Sequence, residues 1–111
     1  MAARLATGIW VGAYKARLEA ENIPVYITAR GDETAGAVAV KCARLDGTAL
    51  AYERSLDLMT GARTWIVSAD GTEAEVDAQL ARARARDPDL WIVEIESREG
   101  RTLLDEPGLS D

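Results

Sequence analysis

The chain predicts an α+β domain, a two-layer sandwich with a mainly antiparallel sheet of five to six strands and two helices packed on one face. Three observations carry this. Two stretches, Thr7 to Asn22 and Thr72 to Arg86, have helical periodicity with recognisable start and stop signals. The residues between them alternate in polarity and are punctuated by Asp46-Gly47, Thr60-Gly61 and Asp70-Gly71. After the second helix comes Leu90 to Glu96, the most β-prone run, bounded by Asp87-Pro88 and Gly100.

In the first helix Trp10, Ala13, Tyr14, Arg17 and Leu18 recur at the spacing of one helix face. Thr7 is the expected N-cap, Asn22 suits a left-handed residue after the last turn, and Pro24 prevents continuation. Val25 to Arg30 alternates as a half-buried strand, with Val25, Ile27 and Ala29 on one side. Gly31 to Gly36 follows as an acidic loop.

Ala37 to Leu45 and Thr48 to Ser55 flank Asp46-Gly47, which predicts a two-residue hairpin turn. That register opposes Ala43 to Leu50, Cys42 to Ala51 and Lys41 to Tyr52. It groups Val38, Val40, Cys42, Ala49 and Ala51 on the covered face. Tyr26, Leu50, Tyr52 and Ile92 are then expected on an uncovered face, more apolar area than a lone monomer usually shows. Leu56 to Ala62 is a connection and Thr64 to Val67 a short fourth strand.

Thr72-Glu73-Ala74-Glu75 is a capping box. Val76, Leu80 and Ala83 form the buried stripe of the helix that follows. Acidic residues occupy its first turn and Arg82, Arg84 and Arg86 its last, complementing the helix dipole. In the next strand Trp91, Val93 and Ile95 share one face, with Leu90, Ile92, Glu94 and Glu96 on the other. Thr102 to Leu104 is expected as a short edge strand. Residues 1–104 thus make one domain, and 105–111 an acidic, disordered tail.

With 111 residues the chain can bury one core without staples. Phenylalanine is absent, so Trp10, Trp65 and Trp91 are expected to pack that core. A net charge of −6 disfavours nucleic acid and anionic membrane surfaces as partners. A single cysteine, Cys42, allows no internal disulfide and fits a reducing, cytoplasmic setting. The stretch Met1 to Val11 reads as folded sequence rather than a leader, because Gly8, Gly12 and the charges from Lys15 onward interrupt it.

Gly8-Ile9-Trp10-Val11, Arg30-Gly31-Asp32 followed by Ala35-Gly36-Ala37-Val38, Leu45-Asp46-Gly47, and Asp87-Pro88-Asp89-Leu90-Trp91-Ile92-Val93-Glu94-Ile95-Glu96 together resemble one small bacterial family. It is the domain-of-unknown-function family numbered 1491, associated with alphaproteobacteria, and the resemblance runs from about Leu5 to Leu104. It implies a stand-alone bacterial domain in a cytoplasmic setting. It carries no activity, cofactor or catalytic residue onto these positions.

Histidine is absent, which removes imidazole-based triads and imidazole metal ligation. Cys42 lies among Val38 and Val40 and reads as a small buried hydrophobe. No catalytic set is assembled and no cofactor is implied. The ligand-binding candidates are four acidic residues. Glu94 and Glu96 fall on one strand face, where they could hold a hard cation or act as acid and base; salt bridging to Lys41, Arg98 or Arg101 is the structural alternative. Asp32 and Glu33 lie in the glycine-bounded loop. The function expected from these features is a non-catalytic cytoplasmic protein-interaction domain, homodimeric through its sheet face or an edge strand. The alternative is a small-ligand or divalent-metal binding protein, or an enzyme, built on the acidic residues.

Overall fold

The computed structural model describes residues 5–110. Expectations for residues 1–4 and for Asp111 lie outside them. The elements run α1 (Thr7–Ala20), β1 (Val25–Ala29), β2 (Val38–Ala43), β3 (Thr48–Leu56), β4 (Arg63–Thr72), α2 (Glu73–Arg86) and β5 (Trp91–Glu96). The α+β class, the two helices and the five strands agree with the sequence reading.

Strand order is β1-β5-β2-β3-β4. Three of the pairings are antiparallel, and β5 runs parallel to β2. The last strand in the chain is therefore central. It slides between β1 and β2, and α2 makes the crossover that a parallel neighbour requires.

The β2–β3 hairpin has a three-residue loop rather than a two-residue turn. Arg44 N donates to Thr48 O at 3.1 Å, and Leu45 and Gly47 both take positive φ, 64° and 88°. Asp46 Oδ1 accepts from the Thr48 amide (2.9 Å) and hydroxyl (2.6 Å), which holds the wider loop closed. Cys42 consequently opposes Leu50, and Lys41 opposes Ala51, one residue away from the expected register. Such a shift moves one strand's side chains across the sheet relative to its partner.

Each face of the sheet carries one helix, where a shared face was expected. Trp10, Val11, Tyr14 and Leu18 of α1 pack with Val38, Val40, Cys42, Trp91, Val93 and Ile95. Val76 and Leu80 of α2 pack with Ala39, Ala49, Ala51, Ala69 and Leu90 on the opposite side. The alanines there leave room for α2 to lie close to the sheet. Tyr52 and Ile92, expected in the open, pack instead against the first and second of these clusters.

Local signals fare better. Asn22 has φ 60° after α1, and the Thr72–Glu75 capping box is complete. Thr7 is not the N-cap: Ala6 holds that place, while Thr7 Oγ1 donates to Gly36 O at 2.7 Å and ties α1 to the acidic loop. Segment 102–104 forms no strand. The residues after it are not a loose tail either, because Leu109 is buried in the α1-side core beside Leu103 and Leu104.

Candidate functional site

The four acidic candidates separate into two pairs with different partners. Asp32 Oδ2 accepts from the amides of Thr34 (3.2 Å) and Ala35 (2.8 Å), closing its own turn. Its main chain is used as well: its N–H donates to Asp89 O at 3.0 Å and its carbonyl accepts from Trp91 Nε1 at 2.8 Å. Glu33 pairs with Arg30 at 3.1 Å, and its carbonyl accepts from Gly8 N at 2.8 Å. The Glu33 carboxylate sits so near the first turn of α1 that a Cβ on Gly8 would fall 1.7 Å from its Oε2. A carboxylate there complements the positive end of the helix dipole.

Glu94 and Glu96 do share a face of β5, but it is the face on which α2 packs. Glu94 Oε1 lies 3.1 Å from Lys41 Nζ, and Glu96 Oε1 accepts from the Tyr26 hydroxyl at 2.9 Å. The Lys41 bridge is the structural alternative weighed from sequence. Two further members were not anticipated, Glu73 at 2.9 Å and Asp77 at 2.8 Å from the same ammonium. Their i, i+4 spacing at the sheet-facing edge of α2, above a lysine embedded in Val-Ala-Val-Lys-Cys-Ala, is the signal that could have revealed them.

This cluster is a charge clamp rather than a reactive centre. Burial alone would push the Lys41 ammonium toward neutrality, but hydrogen bonds to Asp77, Glu73 and Glu94 outweigh it and hold the pKa above the ordinary lysine value. A lysine locked as the cation serves neither as a nucleophile nor as a general base. Cys42 is equally unsuited: burial pushes its thiol pKa up, against smaller opposing effects from the Arg44 charge and the Ser97 backbone. Among the described residues, no three acidic or thiol side chains are placed to share a metal ion.

The arginines of α2 divide by role. Arg84 donates from Nε to Leu90 O (2.9 Å) and from Nη2 to Arg30 O (2.8 Å), fastening the helix end to the sheet. Arg82 and Arg86 face solvent. Trp10 and Trp65 stand 5.5 Å apart with the Arg54 guanidinium against both rings, Trp10 buried in the α1-side core and Trp65 packed against it.

What sequence reasoning missed is the β3–β4 hairpin. Its ladder continues to Leu56 opposite Arg63, whereas β2 accompanies β3 only as far as Glu53. The overhanging end and its loop carry Leu56, Leu58 and Met59 in the open, with Leu58 87% and Met59 93% exposed, and Ile66 and Val67 are exposed further along β4. In the sequence this was read as a connection and a short strand. The apolar Leu-Asp-Leu-Met run inside a loop was the available clue.

No helix among the described residues is long and apolar enough to cross a membrane. A search of curated proteins gives no match. A family model described as "Protein of unknown function (DUF1491)" matches residues 5–105. Among solved structures, the chain is similar to a DUF1491 family protein from Caulobacter crescentus CB15 in its crystal form. The two are 40% identical with a TM-score of 0.85, over 94% of this chain and 98% of that one. An NMR structure of a DUF1491 family protein from the same organism gives 40% identity and a TM-score of 0.82, covering 96% and 97%. The solution structure of protein Atu0922 from A. tumefaciens gives 30% and 0.76, covering 91% and 92%. Through the family model and these whole-length likenesses, the chain belongs to the DUF1491 family of proteins of unknown function.

Proposed function

We propose that the chain is a non-catalytic, cytoplasmic interaction domain that forms a homodimer through the overhanging end of its β3–β4 hairpin. The observation that carries this is the exposed apolar set of Leu56, Leu58 and Met59 at the hairpin end, with Ile66 and Val67 exposed further along β4, a strand whose outer edge has no sheet neighbour among the described residues. Exposed apolar area beside an unpaired β edge is the usual starting point for association between chains. A second copy suits it electrostatically. The molecule as a whole carries −6, but β4 has Arg63 near one end and Asp70 near the other. An antiparallel two-fold pairing brings the basic end of one edge to the acidic end of its mate. The bulge between Val67 and Ala69 bends the edge between these two ends. The single free cysteine, buried at Cys42, supports the cytoplasmic assignment.

Sedimentation velocity at tens of micromolar tests the reading. The expected result is a dimer that Leu58→Lys with Met59→Lys converts to a monomer. A monomeric parent chain would overturn it. The alternative of a cation or small-ligand site on Glu94, Glu96, Asp32 and Glu33 is less favoured, because each carboxylate already has a partner within the fold.

A further inference from the structure

The segment from Arg101 to Ser110 crosses the α1 side of the molecule without being a helix or strand. Three leucines anchor it, Leu103, Leu104 and Leu109, none more than 4% exposed. Its main-chain hydrogen bonds to other main-chain atoms, among the described residues, are all internal: Glu106 to Leu103, Leu109 to Glu106 and Ser110 to Glu106. The rest of the fold holds it in another way. Side chains of the groove donate to its carbonyls: Tyr14 Oη to Thr102 O (2.8 Å), Arg17 Nη1 to Pro107 O (3.2 Å) and Trp65 Nε1 to Leu109 O (3.1 Å). Ion pairs join Arg17 to Glu106 and Glu21 to Arg101.

Side-chain donors reading the carbonyls of a bound segment, with pockets for spaced apolar residues, are how a groove binds a peptide. Tyr14 and Arg17 lie on one stripe of α1 with Glu21 at its C-cap, and Trp65 of β4 donates to the other end of the segment. An open cleft of about 660 Å³ continues beside the segment, lined in part by Tyr52, Arg63, Thr64 and Trp65. Releasing the segment would break no ladder bond of the sheet and no turn of either helix.

We propose that this groove is a peptide-binding site occupied in cis by the chain's own C-terminal segment, which acts as a displaceable, autoinhibitory strap. The ligand class is a turn-forming peptide with leucines five residues apart, as Leu104 and Leu109 are, and a carboxylate between them for Arg17. The strap competes with such a peptide, so the affinity of the intact chain is reduced by the fraction of molecules whose groove is open. This inference is independent of the hairpin-tip dimer, which uses other residues.

The test uses the full chain and a fluorescein-labelled peptide with the sequence of residues 101–110. A chain carrying Leu104→Asp and Leu109→Asp has a weakened strap and an intact groove. It should bind the peptide saturably by anisotropy, at least ten-fold more tightly than the parent chain does. The same peptide with both leucines changed to Asp should not bind. Adding Arg17→Glu to the strap variant should weaken binding several-fold, and a peptide with Glu106→Arg should restore it. Hydrogen exchange on the parent chain should show the amides of 102–110 opening at least a hundred-fold more readily than those of β5. Equal affinity for both chains, no binding by a folded strap variant, or strap amides as protected as β5 would each overturn the proposal. So would unfolding of the strap variant, since the segment would then be core and not an occupant.

Discussion

Lys41 and Glu94 stand opposite one another on the parallel strands β2 and β5, with Nζ 3.1 Å from Oε1. The same ammonium also serves Glu73 and Asp77, so one buried cation pins α2 to two strands at once. The lysine side chain is 4% exposed, whereas Asp77 is 57% and Glu73 41% exposed. The burden of desolvation therefore falls on the cation, and the carboxylates can relax toward water.

That asymmetry predicts unequal mutational costs. Glu94→Gln, Glu73→Gln or Asp77→Asn alone should each cost less than about 1 kcal/mol, since two carboxylates remain. All three together should cost about 3–5 kcal/mol, because the ammonium is left buried without a partner. Lys41→Met should cost about 1–3 kcal/mol, as hydrated carboxylates lose only the bridge. Urea denaturation of the set checks both the order and the non-additivity.

The pH dependence of the clamp follows from its sign. The Lys41 pKa is raised above its ordinary 10.5 in the fold, so its contribution is complete below that value and is lost as pH climbs through the folded one. The stability gap between the parent chain and Lys41→Met should stay level from about pH 7 to pH 10 and close in stronger base.

Asp46 behaves in the opposite sense. Hydrogen bonds from the Thr48 hydroxyl and amide hold its pKa below the ordinary 3.8. Its contribution is present above that value and fades as pH falls through the folded one. Parent chain and Asp46→Asn should differ in urea midpoint at neutral pH and converge in acid.

Two glycines give contrasting outcomes. A Cβ on Gly31 would lie 2.0 Å from the Asp89 carbonyl oxygen, a main-chain atom that cannot swing aside. Gly31→Ala should cost more than about 2 kcal/mol and loosen the loop that receives the Trp91 indole. Gly12, exposed within α1, has nothing within 4 Å of such a Cβ. Gly12→Ala should stabilise by about 0.5–1 kcal/mol, read as a higher Tm.

Thr72→Ala removes the acceptor for the Glu75 amide, 3.1 Å away, and opens the capping box. A loss of about 1 kcal/mol is expected, measured by urea denaturation, with Thr72→Ser restoring most of it.

What was legible in the sequence was local. The Thr72 box, the stop at Asn22 and Pro24, and the alternation of Trp91, Val93 and Ile95 depend on neighbours within a few residues, and all are present. The β2–β3 register was not legible, because it turned on whether Leu45 would accept a left-handed conformation, which costs most side chains about 1–2 kcal/mol. That single residue decided which side chains of β3 face α1 and which face α2. The candidate site was half legible. Glu94 and its bridge to Lys41 could be named, but Glu73 and Asp77 arrive from a helix whose placement over the sheet no local pattern states. The residues from Asp105 on read as loose because Asp, Glu, Pro and Gly dominate them, yet Leu109 is buried and, with Leu103 and Leu104 just before, holds them down.

The place of β5 between β1 and β2 has a temporal consequence. Among the described residues it is β1's only neighbour in the sheet, and about sixty residues separate the two in the chain. During synthesis at about 5–20 residues per second, β1 waits several seconds with its edge exposed. Only when Trp91 to Glu96 emerges can the two halves of the sheet zip together. Closing so distant a contact late should make folding slow for a domain of this length, with the unjoined halves as the species a chaperone would meet.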